Sequence, residues 1–220
     1  NYKYASLFRT LGLLPFLILS IIANGQKPNI IYILTDDLGY GDVSVYNNKS
    51  KIATPWIDAL AKEGMLFTDA HSNSSVCTPT RYGILTGQYA WRTSLKNGVL
   101  WSYDKPLITP NQLTVAQLLK NNGYQTACIG KWHLGLTAQT SPQARGFERS
   151  FALLEGMDLH FKASTPELAR GSTYKEDSVS VTLPANFYST NFYTDKLIEY
   201  IEHNKKDEKP FFAYAAYTAP

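Results

Sequence analysis

The sequence is short of cysteine and carries no large excess of charge. Only 2 of its 220 residues are Cys, so a small fold held together by disulfides is excluded, and a chain of this length can bury a core without them. The formal net charge of +3 is too small to indicate a nucleic-acid-binding protein. There is no internal repeat and no low-complexity tract, and the hydrophobic content of 44% is typical of a globular protein.

Long hydrophobic runs are also missing, except near the N-terminus. Lys3 and Arg9 precede the apolar run Leu11–Ala23, and small residues follow it. This pattern predicts a secretory signal peptide over residues 1–25, with the folded part at 26–220 and export to the periplasm, the extracellular space or, in a eukaryote, the secretory pathway or lysosome. A membrane anchor is disfavoured because a spanning helix needs about 20 apolar residues and Pro15 interrupts this run.

Export would permit a disulfide between the two cysteines. We do not expect one, because Cys128 lies in an apolar, strand-like run and is interpreted as a small buried hydrophobe. Cys77 follows a polar run and precedes Pro79, so it needs a different explanation.

The rest of the chain alternates between strand-like and helix-like segments. Strands are predicted at 29–35, 65–70, 124–130 and 211–217, and helices at 54–64, 77–85, 114–122 and 192–202. Residues 158–188 are predicted to be a long surface excursion. Two helices carry apolar positions expected to face inward, namely Ile57, Leu60 and Ala61 in the first and Leu197, Ile198 and Ile201 in the last. The pattern predicts an α/β fold, a mostly parallel sheet between helices, with the first strand covered on both faces.

In such sheets, ligands bind beyond the carboxyl ends of the strands. The first strand ends at Asp36 and Asp37, a carboxylate pair that suits a hard cation such as Ca²⁺ or Mg²⁺. A turn capped by carboxylates explains the pair equally well.

Lys131 and His133 follow a later strand and flank a tryptophan. In an extended segment, residues two apart share a face, so the two side chains could bind one anion together. The alternative is a surface lysine beside a packed histidine.

The segment Cys77–Arg81 (CTPTR) is the most specific feature. Pro79 suits a first helical turn, which puts Cys77 near a helix N-terminus, and Arg81 is one turn along the same face. Both the helix end and the guanidinium favour an anion at Cys77, as for a nucleophilic thiolate. A buried structural cysteine fits the polar flank poorly.

These residues resemble the signature of the type I sulfatases. The segment 77–87 (CTPTRYGILTG) resembles the family's Cys-x-Pro-x-Arg signature, and further segments match in order: Lys27–Ile31, Asp36–Tyr40, Gly123–Thr126, Gly130–Gly135, Arg145–Phe151 and Tyr217–Pro220. The similarity runs from Lys27 to the end of the sequence and is greatest to bacterial arylsulfatases. It implies an alkaline-phosphatase-like fold, here its N-terminal part, and hydrolysis of an aryl or carbohydrate sulfate ester.

The resemblance implies that Cys77 is a precursor. In this family the cysteine is oxidised by a formylglycine-generating or sulfatase-maturating enzyme to formylglycine, an aldehyde whose hydrate attacks the sulfur of the ester. It further implies that Asp36, Asp37 and the oxygen on residue 77 ligate Ca²⁺, with Mg²⁺ less suitable. Arg81 would hold the hydrate and the carboxylates.

By the same resemblance, Lys131 would bind a sulfate oxygen, and His133 would bond the hydrate and assist breakdown of the intermediate. The family's remaining metal ligands and its acid histidine would lie beyond Pro220. We therefore expect the 220 residues to be an inactive N-terminal fragment. Two alternatives stay open: a phosphodiesterase or phosphonate ester hydrolase of the same superfamily, and a noncatalytic remnant.

Overall fold

The computed structural model describes residues 27–101, 104–165, 171–207 and 209–220. The predicted signal peptide at 1–25 therefore lies outside the described residues. The helices within them are α1 (Pro55–Glu63), α2 (Cys77–Thr86), α3 (Val115–Asn121) and α4 (Ser189–Asn204). The strands are β1 (Ile30–Leu34), β2 (Gln125–Lys131), β3 (Arg149–Leu153), β4 (Tyr174–Glu176), β5 (Val179–Ser180) and β6 (Phe211–Ala216).

The six strands form one sheet in the order β1-β6-β2-β3-β4-β5. The pairs β1–β6, β6–β2 and β2–β3 are parallel, and β3–β4 and β4–β5 are antiparallel. Parallel neighbours need crossover connections. Helices α1, α2 and α3 lie between β1 and β2, and α4 lies between β5 and β6. The predicted mostly parallel α/β fold is confirmed.

The central strands β2 and β6 are buried on both faces, as their continuous apolar sequences predict. Successive side chains point to opposite faces, so Cys128 and Tyr214 enter a core beneath α2 and α3, while Ala127 and Ile129 enter a second core with Leu197 of α4. Cys128 is fully buried, which confirms its interpretation as a core residue. Both cysteines are free thiols.

Gly130 allows β2 and β6 to approach closely just before Lys131. Its φ is +97°, and a Cβ at this position would overlap the carbonyl group of Ala216 on β6. Only glycine combines this backbone conformation with that contact. The close packing helps to fix where β2 ends and therefore where Lys131 lies.

The predicted helices form, with local signals that agree with the sequence. Thr114 caps α3 by accepting a hydrogen bond from Gln117 N–H at 3.1 Å, and Gly64 and Gly87 follow α1 and α2. The inward positions are less accurate: Ile198 of α4 is exposed, whereas Leu197 is buried.

Four expectations about individual elements are wrong. Residues 65–70 form no strand, because no described strand lies beside them and Met65 and Phe67 face solvent. β1 is not covered on both faces: it is an edge strand, with Ile31 and Ile33 exposed. The apolar side of α1 is likewise unburied, and the supposed excursion at 158–188 contains the β4–β5 hairpin.

Candidate active site

Four parallel strands end at one edge of the sheet, and the candidate residues follow them. Asp36 lies two residues beyond β1, Lys131 is the last residue of β2, and His133 comes two residues later. The backbone N–H of Asp36 donates to the carbonyl of Ala219 at 3.0 Å, which joins the loop after β1 to the loop after β6. Helix α2 begins at Cys77 and carries Arg81 one turn further on.

The centre of the site is an ion cluster around Asp36. Its Oδ1 accepts from Arg81 Nη2 at 2.9 Å, and its Oδ2 accepts from Lys131 Nζ at 2.6 Å. The side chains of Arg81 and Lys131 are 1% and 3% exposed, and that of Asp36 is 17% exposed. Two buried cations against one carboxylate leave a net positive charge, which favours binding of an anion.

Arg81 also braces the end of β2. Its Nη1 donates to the carbonyl oxygen of Lys131 at 2.7 Å. The guanidinium therefore holds the backbone of one cluster member and the side chain of another, Asp36, in a fixed relation. Sequence spacing put Arg81 on the Cys77 face of α2 but gave no sign of these two contacts.

Cys77 is the first residue of α2 and is partly buried. Val76 precedes it with extended backbone and no side-chain cap, so the first N–H groups of the helix are not satisfied by a capping side chain. Cys77 lines a cleft of about 320 Å³ together with Asp36, Asp37 and Arg81. The cleft thus combines a helix N-terminus, two carboxylates and a buried guanidinium.

His133 adopts a backbone conformation that the sequence did not reveal. Its φ is +54°, so the argument from an extended segment is wrong, because alternation of side chains ends with β2. The alternative of a surface lysine is also wrong, since Lys131 is buried. Imidazole Nε2 lies 3.0 Å from the carbonyl oxygen of Leu100, and Nδ1 is buried without a partner among the described residues.

Burial lowers the pKa of His133 to about 4, and the nearby charges of Lys131 and Arg81 add to this effect. The hydrogen bond to Leu100 and the charge of Asp36 oppose it but do not prevail. His133 is therefore neutral at pH 7.

The described residues do not form a complete metal site. Asp37 is exposed, in a left-handed conformation with φ of +61°, and both oxygens of Asp36 are engaged by cations. Among the described residues, no three His, Cys, Asp or Glu side chains cluster closely enough to hold an ion. Carboxylates at a strand end suit a hard cation in kind, but these two do not complete a site for Ca²⁺.

Sequence reasoning missed three residues around His133. Leu100 supplies the carbonyl, Thr78 is a fully buried hydroxyl between them, and Gly156 lies against the imidazole ring. Thr78 lies inside the CTPTR segment, next to Cys77, but neither a carbonyl contact nor a glycine in a loop has a sequence signature.

None of the helices in the described ranges has the length and apolar content to span a bilayer.

Comparison with known proteins finds sulfatases among the relatives of this chain. The Sulfatase family model matches residues 28–220. An arylsulfatase of Klebsiella aerogenes is 34% identical over 209 residues, which cover 90% of this chain and 44% of that protein. An N-acetylgalactosamine-6-O-sulfatase of Bacteroides thetaiotaomicron is 44% identical over 138 residues, covering 63% of this chain and 27% of the relative.

A solved structure supports the same relationship. The crystal structure of Ps i-CgsB in complex with k-i-k-neocarrahexaose superposes with a TM-score of 0.81 and 30% identity, covering 89% of this chain and 46% of that one. The chain thus spans less than half the length of these relatives. With its α/β sheet, its Cys77–Arg81 segment and a family match over nearly all of its length, the chain belongs to the sulfatases, as a type I member of the alkaline phosphatase superfamily.

Proposed function

We propose that these residues carry the nucleophile half of a sulfatase active site, which hydrolyses an aryl or carbohydrate sulfate ester to an alcohol and sulfate. The observation that supports this most is the placing of Cys77, at a helix N-terminus, in one cleft with Asp36 and the buried Arg81. A helix N-terminus and a buried guanidinium beside Cys77 are suited to a sulfate group and to the negative charge that develops on it during attack.

The proposed chemistry requires conversion of Cys77 to formylglycine by a maturating enzyme, which supplies a hydrated aldehyde as the nucleophile toward sulfur. Arg81 keeps the end of β2 and Asp36 together beneath that residue. Lys131 is the buried cation proposed to bind a sulfate oxygen. Its position at the end of a strand buried on both faces fixes the charge in place.

His133 is proposed to take a proton during the reaction rather than to hold a charge. Its pKa, lowered to about 4 by burial, keeps the imidazole neutral near pH 7. A neutral ring retains one unprotonated nitrogen, which is the group proposed to accept the proton. This role agrees with bonding to the hydrate of residue 77.

For the metal, we propose that Asp36 and Asp37 contribute two ligands to a Ca²⁺ ion, with the rest supplied by groups outside the described residues. A bound cation would neutralise charge on the sulfate oxygens. Both carboxylates lie at the edge where the parallel strands end, and the contact with Arg81 would orient Asp36.

Substrate class follows only from the relatives. Their names include an arylsulfatase and a carbohydrate sulfatase, and one solved structure holds a carrahexaose. We propose a sulfate ester of a sugar or an aryl alcohol, encountered after export of the protein through the secretory route.

The decisive experiment is mass spectrometry of the Cys77 peptide after expression with and without a formylglycine-generating enzyme. Conversion of cysteine to formylglycine lowers the peptide mass by about 18 Da, the change expected when the thiol is replaced by the nucleophile precursor. Pro79→Ala keeps Cys77 but changes the same segment. It should lower conversion and serves as the negative control. An unmodified thiol in the co-expressed protein contradicts the proposal.

Activity gives a second test. The 220 residues alone should not turn over an aryl sulfate, because the described residues contain no cluster of three His, Cys, Asp or Glu side chains that could hold the metal ion. Turnover by this chain would overturn that expectation. In a polypeptide as long as the relatives, faster turnover of an aryl phosphodiester than of the aryl sulfate would favour the phosphoesterase alternative.

A further inference from the structure

His133 is held by contacts on several sides. Its Nε2 is bonded to the Leu100 carbonyl, and its ring packs so closely on Gly156 that a Cβ there would come within 2.6 Å of Nε2. Its own φ of +54° is uncommon for a residue with a side chain. Such a constrained ring presents its two nitrogens in one defined arrangement.

The Leu100 contact determines which nitrogen carries the proton. A carbonyl oxygen only accepts hydrogen bonds, so Nε2 must be the donor and therefore protonated. In a neutral imidazole the other nitrogen, Nδ1, then has a free lone pair. This Nδ1 is buried and has no hydrogen-bond partner in the described part of the chain.

A single side chain ties this arrangement to the nucleophile helix. Thr78 is fully buried, and its Oγ1 accepts from the backbone N–H of Leu100 at 3.1 Å. The same hydroxyl donates to the carbonyl oxygen of His133 at 3.4 Å. Thr78 thus holds both partners of the imidazole contact, Leu100 and His133, and it is adjacent in sequence to Cys77.

We propose that Thr78 is a positioning residue that, through Leu100, fixes His133 in the Nε2–H tautomer and leaves Nδ1 unprotonated. The relevance of this tautomer to catalysis rests on the function proposed above. The tautomer and its dependence on Thr78 rest on the contacts alone. The hydroxyl of Thr78 therefore has a positioning role in addition to its packing at a buried position.

The test uses the 220-residue chain labelled with ¹⁵N-histidine. Long-range proton–nitrogen correlation spectra show directly which ring nitrogen is protonated, and the chain has only 4 His to resolve. Thr78→Val and Thr78→Ala remove the hydroxyl, and Thr78→Ser, which retains it, is the matched control. His133→Gln assigns the signal, and the ring of His160, bonded at Nδ1 to the Ser189 hydroxyl, reports on the fold elsewhere.

We expect the Nε2–H tautomer at pH 7 in the wild type and in Thr78→Ser. Thr78→Val and Thr78→Ala should give a mixture of tautomers and raise the pKa of His133 by about one unit, as the ring becomes more mobile and hydrated. An Nδ1–H tautomer in the wild type overturns the proposal, as does an unchanged His133 signal in both Val and Ala variants. Loss of the native His160 signal in both also counts against it, because the hydroxyl would then act on the whole fold.

These outcomes are separate from those of the proposed function. A chain that forms no formylglycine would contradict the sulfatase mechanism and leave the tautomer result intact. A wrong tautomer would overturn the role of Thr78 and leave the Cys77 test unaffected.

Discussion

The ion cluster at the end of β1 makes the sharpest prediction about stability. Asp36→Asn keeps the shape of the side chain and one acceptor for Arg81 Nη2, but it turns an amide NH₂ toward Lys131 Nζ, now 2.6 Å from Oδ2. Two buried cations then lack a counter-charge. Removing one partner from a buried ion pair costs about 3–5 kcal/mol. Because the Asp36 side chain is 17% exposed, we expect the lower end, about 3 kcal/mol.

The assay is urea unfolding of the 220-residue chain at pH 7 with a chelator present, so that no bound cation contributes. Asp37→Asn is the matched control: this neighbouring carboxylate is exposed, and its loss should change the free energy of unfolding by no more than about 0.5 kcal/mol. In thermal unfolding, the Asp36 variant should melt about 6–12 °C lower. Equal effects of the two substitutions would refute the view that Asp36 neutralises buried charge.

Three other predictions concern the same edge of the sheet. Burial lowers the pKa of His133 from 6.5 to about 4, so the unfolded chain binds more protons than the folded chain between these pH values. The free energy of unfolding should therefore fall by about 3 kcal/mol as the pH drops from 7 to 4. The fall should be smaller in His133→Gln. Gly156→Ala should cost about 1–3 kcal/mol in chemical denaturation because its Cβ overlaps the imidazole, whereas Gly41→Ala, with its nearest neighbour at 3.7 Å, should cost less than 1 kcal/mol. In unmodified protein a maleimide should label Cys77 under native conditions and the fully buried Cys128 only after unfolding; equal labelling rates would contradict the burial of β2.

Much of the fold follows from local patterns in the sequence. The apolar runs that become β2 and β6 are buried on both faces, so their burial could be predicted without knowledge of their neighbours. Thr114 and Gly87 mark helix ends through interactions within a few residues. The position of Asp36 and Lys131 at one sheet edge follows from the rule that parallel strands end together.

The remainder depends on partners that are distant in sequence. β1 is apolar along its whole length, as β6 is, yet it lies at the edge of the sheet, and no local pattern distinguishes an edge from a centre. Residues 65–70 have strand-like composition but no described strand to pair with. A strand exists only when another supplies its hydrogen bonds.

Only part of the candidate site could be predicted from the sequence. Residue types at Asp36, Cys77 and Arg81 indicated the chemistry, but the positive φ of His133 and its bond to the Leu100 carbonyl arise from the path of the backbone. The pairing of Lys131 with Asp36 joins residues 95 positions apart. Neither contact depends on a residue spacing that the sequence displays.

The position of β1 has a consequence for handling the protein. One long side of this strand faces no described neighbour, and its exposed Ile31 and Ile33 lie close to unpaired backbone N–H and C=O groups. Unprotected edge strands of this composition are templates for pairing with a second molecule. Concentrated solutions of these 220 residues should therefore self-associate, and a lysine in place of Ile33 should suppress aggregation without disturbing the distant β2–β3 pairing.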